Sequence, residues 1–257
     1  MKIAVILPTY NEAENLPRLV SALFSLPLEL SVLVVDDDSP DGTGDIAEEL
    51  SKEHSGRINV LHRKGKLGLR SAYLEGFAKA FEAGADAVVQ MDADFSHDPA
   101  VLTEMAKRIE SYDLVIGSRY VKGGSLAKRW PLWRKALSAF GNTYARTILG
   151  FPLNDVTTGY RMWRREALNG IPLERIRSSG YIFLVEMAYV AYLMGYDIME
   201  VPIHFSDRRW GKSKMSIKIQ LEAAIRVWDV RWHYRDLRNK SHPHEIDGKK
   251  NNRLSSR

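Results

Sequence analysis

Four short apolar runs constrain this chain more than any other feature. Residues 3–7, 32–35, 87–91 and 114–116 are rich in β-branched side chains, too short for helices, and separated by helical patterns. Continuous rather than alternating hydrophobicity marks strands buried on both faces, and helices between them mark a parallel sheet in an α/β fold. The first helix starts near residues 11–15 and runs to Leu26, with Leu16, Leu19, Val20 and Leu23 on one face. A second begins at Gly42 and Thr43, and a third covers 69–82, with Gly84 as its stop. In such sheets ligands bind beyond the carboxyl ends of the strands.

Those ends are unusually polar. The first reads Pro8-Thr9-Tyr10-Asn11-Glu12, the second Asp36-Asp37-Asp38-Ser39-Pro40-Asp41-Gly42-Thr43, and the third Asp92-Ala93-Asp94-Phe95-Ser96-His97-Asp98-Pro99. Three acidic strand ends in one sheet predict one acidic cleft. Asp92 and Asp94 flank a single residue, so an extended backbone would put both carboxylates on one side. Two close carboxylates repel, and a divalent cation removes that penalty while leaving positions open to phosphate oxygens. Hard oxygen ligands suit Mg²⁺ or Mn²⁺.

In the 36–38 run one carboxylate could accept from a nucleotide ribose or base edge, while Asp38, Ser39 and Asp41 could simply cap the turn and the next helix. Glu12 could meet a nucleoside or serve its own helix dipole. The cations available to oppose phosphate are Arg119, Arg161, and the group Arg208, Lys212 and Lys214 around Gly211; arginine forks suit phosphate oxygens. His97 fits a structural hydrogen bond that fixes its loop better than it fits a base.

Other chemistries are excluded by what is missing. The chain has no cysteine, hence no disulfide, thiolate nucleophile or cysteine metal site. Gly65-Lys66-Leu67-Gly68 lacks the dinucleotide spacing, no Walker lysine motif occurs, and no Ser/His/Asp arrangement can be read. His62, His204, His233, His242 and His244 form no metal spacing. The net charge of +5 does not call for nucleic acid, and no nucleic-acid partner is expected.

The charge is unevenly placed: residues 1–202 carry 23 basic and 26 acidic groups, residues 203–257 carry 14 and 6. A stretch at 126–149 mixes Lys128, Arg129, Arg134, Lys135 and Arg146 with Trp130, Trp133 and Phe140. It reads either as a helical pair lying on a membrane surface or as a helix packed on the sheet with a solvated basic side. Residues 217–237 read as a helix with Ile217, Leu221, Ile225, Trp228 and Trp232 on one face, which could dock on the body, on another copy or on a membrane. The longest greasy stretch, 181–196, contains Glu186 and falls short of the roughly 20 residues a span requires. The N-terminus turns polar at once, unlike a signal peptide. A soluble or peripheral protein is expected, with three segments: a body over 1–215 including 126–149, an amphipathic helix over 216–238, and a basic flexible tail over 239–257.

These residues resemble a known family, the polyprenol-phosphate (dolichol-phosphate) mannose synthases, which are inverting family 2 glycosyltransferases with a nucleotide-diphospho-sugar (GT-A) fold. The resemblance rests on Pro8-Thr9-Tyr10-Asn11-Glu12 with Asn15-Leu16, Asp36-Asp37 with Ser39-Pro40-Asp41-Gly42-Thr43, and Gly65-Lys66-Leu67-Gly68-Leu69 with Ala72-Tyr73 and Gly76. It continues through Met91-Asp92-Ala93-Asp94 with Ser96-His97 and Pro99, Gly117-Ser118-Arg119-Tyr120, and Thr157 with Gly159 and Arg161. Gly180-Tyr181 with Phe183, Glu186 and Met187, and Arg208 with Gly211, Ser213 and Lys214, complete it.

The resemblance implies transfer of mannose from GDP-mannose to a polyprenyl or dolichyl monophosphate, with inversion and with Mg²⁺ or Mn²⁺. It puts Asp94 and Asp92 at the metal, and Pro8, Tyr10, Glu12 and Asp37 near the nucleoside. Arg208 and Lys214 fall at the diphosphate, Arg119 toward the acceptor phosphate, and Arg161 along the sugar. Residues 205–215 would close over the donor. Attachment is expected at the cytoplasmic face of a membrane, through 126–149 and the tail or through a separate anchoring subunit. Leu184 stands where glutamine is common in this family, Arg70 where glycine is, Thr158 where serine is, and Tyr160 where phenylalanine is.

Three rivals remain open on sequence. One is the same fold using UDP-glucose or another sugar nucleotide. Another is a nucleotidyltransferase, although residues 8–15 lack the glycine-rich loop it needs. The last is a non-enzymatic membrane-binding module whose acids merely cap turns.

Overall fold

The computed structural model describes residues 1–207 and 217–238. Arg208, Lys212, Lys214 and the basic stretch 239–257 lie outside the described residues. The chain runs β1 (Ile3–Thr9), α1 (Leu16–Phe24), β2 (Leu30–Asp36), α2 (Thr43–Glu53), β3 (Ile58–His62), α3 (Leu69–Glu82), β4 (Ala87–Gln90), α4 (Leu102–Ile109), β5 (Leu114–Ser118) and β6 (Ser125–Leu126). It continues with α5 (Leu132–Leu149), β7 (Arg161–Arg164), α6 (Arg165–Gly170), α7 (Gly180–Leu193), β8 (Ile198–Pro202), β9 (His204–Phe205), α8 (Ile217–His233) and α9 (Arg235–Arg238).

Seven strands form one sheet in the order β3-β2-β1-β4-β7-β5-β8, all parallel to their neighbours except β7, which runs antiparallel between β4 and β5. Alternation splits the core by face. Ile3, Val5, Leu7, Val32, Val34 and Val89 pack with α1, α2 and α4. Ala4, Ile6, Val35, Val88 and Ile116 pack with α3 and α7. Every strand expected from the apolar runs is present. The three unanticipated strands of the main sheet have physical reasons for being hidden: β3 is an edge strand with alternating exposure, β8 is only partly covered, and β7 buries arginine.

Gly76 shows how closely α3 approaches the sheet. A methyl group at that position would lie 2.7 Å from Ile6 Cγ2. Gly76→Ala is therefore expected to cost about 1–3 kcal/mol, measured by urea unfolding, because a packed core has nowhere to put one more carbon.

Residues 126–149 hold one long helix, α5, entered through the short β6–β9 ladder, which is the single-helix reading and not the helical pair. On α8 Val227 and Val230 are buried, whereas Ile225, Trp228 and Trp232 are exposed, which removes docking on the body for that face and leaves another copy or a membrane. The side chains of Ile217 and Leu221 lie outside the described residues. The buried stripe follows from α8 packing beside α5, where Trp228 donates to Tyr144 Oη and Tyr144 donates to the Ala224 carbonyl. Among the described residues no helix is long and apolar enough to cross a membrane.

Candidate active site

The ends of β2, β1 and β4 lie side by side, so the three polar segments meet at one edge. Each contains one non-glycine residue with a left-handed backbone: Asn11 (φ 63°), Asp38 (φ 57°) and Phe95 (φ 61°), the only three among the described residues. Such conformations are costly and gather where a site demands them.

On the β1–β2 side the carboxylates divide their work. Asp36 accepts from Thr9 Oγ1 (2.9 Å), Ser39 N (3.0 Å) and Ser39 Oγ (2.6 Å), which locks the turn. Asp41 accepts from Thr43 Oγ1 (2.5 Å) and from Ala13 N and Thr43 N (both 3.1 Å). Burial opposes its ionisation, but these bonds win and hold its carboxyl below the usual range. Thr43 in turn receives the Glu12 N–H (2.9 Å), and the Glu12 carboxylate accepts from Asn15 Nδ2 (2.7 Å), just before α1.

Asp37 differs from these. It lies 2.8 Å from Arg63 Nη1, and burial raises its pKa against the pull of that arginine. Beside it Lys66 sits 4.2 Å over the Tyr10 ring. Arg63 and Lys66 belong to the β3–α3 loop and were missed as site residues. The signal was the Gly65-Lys66-Leu67-Gly68 block, which follows a strand that exposes much of its surface.

After β4 the backbone turns and does not stay extended. Asp94 is buried and accepts the Ser96 N–H at 3.0 Å. Asp92 lies beside Gly159, where a methyl group would come within 3.4 Å of its Oδ1. Ser96 Oγ is buried and has no hydrogen-bond partner among the described residues, an orphan that sequence reasoning did not single out. No cluster of three or more His, Asp or Glu is gathered among the described residues. That donor set fits Mg²⁺ or Mn²⁺, which take one or two carboxylates and complete their shell with phosphate oxygens and water.

His97 is structural. Its Nδ1 accepts the Asp92 N–H (3.3 Å), and its ring stacks on Tyr160 at 4.9 Å. Burial lowers its proton affinity against the attraction of Asp92 and Asp94. The unfolded chain binds a proton near 6.5 that the folded chain refuses, so this contribution to stability is complete above that pH and lost as pH falls below it. Melting curves in EDTA from about pH 8 to about pH 5 should show a declining Tm, and His97→Gln should flatten the decline.

The two arginines expected to face substrate are occupied elsewhere in this structure. Arg119 forms a fork with Asp155 (2.6 and 2.7 Å) and also donates to Thr157 Oγ1 (2.7 Å). Burial works against its charge, but Asp155 outweighs it and raises the pKa. Asp155 is itself held by Glu200, which accepts its N–H at 2.9 Å. Arg161 is fully buried and donates to the carbonyls of Thr158, Val156 and Leu184. Burial lowers its pKa to about 10, with Asp155 partly compensating. Both shape the wall behind the acidic loop.

The family departures are also accounted for. Leu184 is in the apolar core, and its carbonyl accepts from Arg161. Thr158 Oγ1 accepts Tyr160 N, and Tyr160 Oη donates to the Asp98 carbonyl, bracing the acidic loop. Arg70 donates to the Ile176 carbonyl at 2.6 Å.

A mostly parallel seven-stranded sheet with an acidic turn after β2 and an Asp-Ala-Asp loop after β4, on either side of β1 at one edge, has the architecture of a GT-A-like fold. Residues 4–171 match glycosyl transferase family 2, and the chain belongs to that family. The polyprenol monophosphomannose synthase of Mycolicibacterium smegmatis is 44% identical over 230 residues, 88% of this chain and 86% of that one. The undecaprenyl-phosphate mannosyltransferase of Micrococcus luteus is 46% identical over 232 residues, 90% of this chain and 94% of that one. Glucosyl-3-phosphoglycerate synthase from Mycobacterium tuberculosis, solved with Mn²⁺, UDP and phosphoglyceric acid, shares the fold. Its TM-score is 0.62 at 17% identity, over 89% of this chain and 76% of that one.

Proposed function

We propose that the chain transfers mannose from GDP-mannose to a polyprenyl monophosphate, giving polyprenyl β-mannosyl phosphate and GDP. The observation that carries this reading is 44–46% identity, across most of the chain, to two enzymes whose names give mannose and a polyprenyl phosphate. The acidic cleft supplies chemistry consistent with it.

Asp37, Tyr10 and Pro8, with Glu12 nearby, form the nucleoside side, and Arg63 and Lys66 close that side with positive charge. Asp92 and Asp94, with Ser96 beside them, would hold Mg²⁺ or Mn²⁺, which when bound neutralises the leaving diphosphate. Arg208 and Lys214 are assigned to the diphosphate by motif. A lipid monophosphate is largely ionised near neutral pH, so its oxygen can attack without a protein base. This agrees with a His97 kept neutral and committed to Asp92. The chain's work is to align that attack opposite the diphosphate, which gives inversion, and to exclude water.

The acceptor enters from the side of β9. Ser206 N donates to the Ser96 carbonyl (3.1 Å), which joins the acidic loop to a pocket of about 360 Å³ lined by Lys128, Arg129 and His204. Leu132, Trp133 and Phe140 are exposed on α5, which follows that pocket in the chain, and Ile225, Trp228 and Trp232 are exposed on α8, which packs against the later part of α5 through Tyr144. We assign this ridge to an anionic bilayer surface at the cytoplasmic face, with tryptophans at the interface and Lys128, Arg129, Arg134 and Lys135 toward phosphate head groups.

The test is transfer of radiolabelled mannose from GDP-mannose to a short polyprenyl phosphate with Mg²⁺ or Mn²⁺. Product requiring metal supports the assignment. Product only from UDP-glucose keeps the mechanism and overturns the donor.

A further inference from the structure

The buried Glu186 interrupts the apolar helix α7, and the catalytic reading does not use it. Its surroundings give it a purpose. One carboxylate oxygen accepts the Arg177 N–H (3.2 Å), the other the Ser178 N–H (2.8 Å), and the first also receives Tyr234 Oη (3.0 Å). Glu186 is 1% exposed and Tyr234 0%. A carboxylate in such a place is costly unless it is fully hydrogen-bonded, and here two loop amides and one phenol from a distant element satisfy it.

The loop it holds, residues 176–179, leads into the first turn of α7. Arg70, from the first turn of α3, grips the Ile176 carbonyl from the nucleoside side. Arg161 holds the Leu184 carbonyl, and Phe183 stacks with Tyr73 at 6.2 Å. Tyr181 stands close enough to Arg119 to act on its charge. The loop therefore runs from its contact with Arg70 on α3 to the start of α7, where Tyr181 neighbours Arg119.

The C-terminal helices reach it through Arg175 and through Tyr234: Arg175 donates to the His233 carbonyl (3.3 Å) and its own carbonyl lies 3.2 Å from His233 Nε2, contacts outside the loop itself. Arg175 forms an ion pair with Asp236 (2.9 and 3.0 Å), but that pair is solvent-exposed, and such pairs contribute little. The Tyr234 hydroxyl is buried, lies 3.1 Å from the Arg175 carbonyl as well, and bonds a charged acceptor, the stronger kind of hydrogen bond.

We propose that Tyr234 and Glu186 are positioning residues: their hydrogen bond makes the C-terminal helix pair a strut that sets loop 176–179 and the start of α7 for the acceptor. The acceptor half of this rests on the mannosyl-transfer reading above. Arg70 ties the loop to α3 through a single carbonyl and not to Asp37 or Tyr10, whereas Tyr181 at the start of α7 neighbours Arg119, the arginine that the family resemblance puts toward the acceptor phosphate, so the acceptor should respond more than the donor.

The test uses the full chain with Tyr234→Phe, which keeps the ring and removes the hydroxyl, and Glu186→Gln. Hydrogen exchange is read without substrate, and steady-state kinetics use GDP-mannose and a short polyprenyl phosphate. In Tyr234→Phe the amides of Arg177 and Ser178 should exchange roughly tenfold faster or more. The acceptor KM should rise about fivefold or more while the donor KM stays within about twofold, and Tyr234→Phe should add little in the Glu186→Gln background.

Unchanged exchange at both amides overturns the strut. Faster exchange with an unchanged acceptor KM, or with both KM values rising together, overturns the positioning role. If the wild type transfers no mannose, the functional reading fails alone. The exchange arm still decides the strut, and acceptor affinity is then read by titrating the polyprenyl phosphate directly, where equal affinity in wild type and Tyr234→Phe overturns positioning.

Discussion

Asp94→Asn is expected to reduce mannosyl transfer by about a thousandfold or more, a loss of roughly 4 kcal/mol of transition-state stabilisation. The substitution is nearly isosteric and keeps an oxygen able to accept the Ser96 N–H, so the loop after β4 retains its turn. It removes one of the two negative charges that would hold a divalent ion against the leaving diphosphate. Two measurements check the result together: initial rates at saturating donor, and Mn²⁺ binding in the presence of GDP. Activity within tenfold of wild type, or unchanged Mn²⁺ affinity, would sink the metal assignment of Asp94. A Tm close to that of the wild type separates lost chemistry from lost fold.

Asp155→Ala should unfold the protein far more readily. It strands the buried Arg119 guanidinium, which now makes two bonds to that carboxylate and one to Thr157. Breaking one side of a buried ion pair costs about 3–5 kcal/mol, because the surviving charge has no water to return to. For a chain of this size that is a fall in Tm of roughly 6–20 °C. Arg119→Met combined with Asp155→Leu should recover much of the loss, since an apolar pair of similar volume escapes the desolvation penalty. A double variant no more stable than Asp155→Ala would show that the pair does more than satisfy itself. Because Arg119 also anchors its own backbone N–H to Asp155 (2.9 Å), its path to any phosphate requires this fork to open. Its effect on transfer is therefore expected through the wall behind the acidic loop.

Much of this was legible in the residues. The apolar runs gave the strands because burial on both faces leaves a composition signature that needs no partner to be recognised. Asp37, Asp92 and Asp94 could be singled out because acidic groups directly after buried strands have few structural reasons to cluster. Arg161 was harder: an arginine after Gly159-Tyr160 looks like a phosphate ligand, yet its donors all go to carbonyls that neighbour it only in the fold. Ser96 is legible in the sequence only as part of the family motif, and its burial without a hydrogen-bond partner among the described residues is what sets its hydroxyl apart. On α8 the residues left open what the Ile225, Trp228 and Trp232 face meets, since two apolar stripes on one helix are equivalent until a neighbour covers one of them, and here the body covers the stripe of Val227 and Val230.

The residue order by itself determined the alternation of strands and helices, the acidic character of one edge, and the absence of thiol and dinucleotide-loop chemistry, because each depends on local composition and short-range spacing. Only the tertiary structure decided which charges face one another. It set Arg63 against Asp37, closed Arg119 onto Asp155, enclosed Arg161 in carbonyls and joined Tyr234 to Glu186. Those pairings join residues brought together by the folded backbone, and in a low-dielectric interior the identity of the nearest partner, more than the residue type, determines what a charge can do.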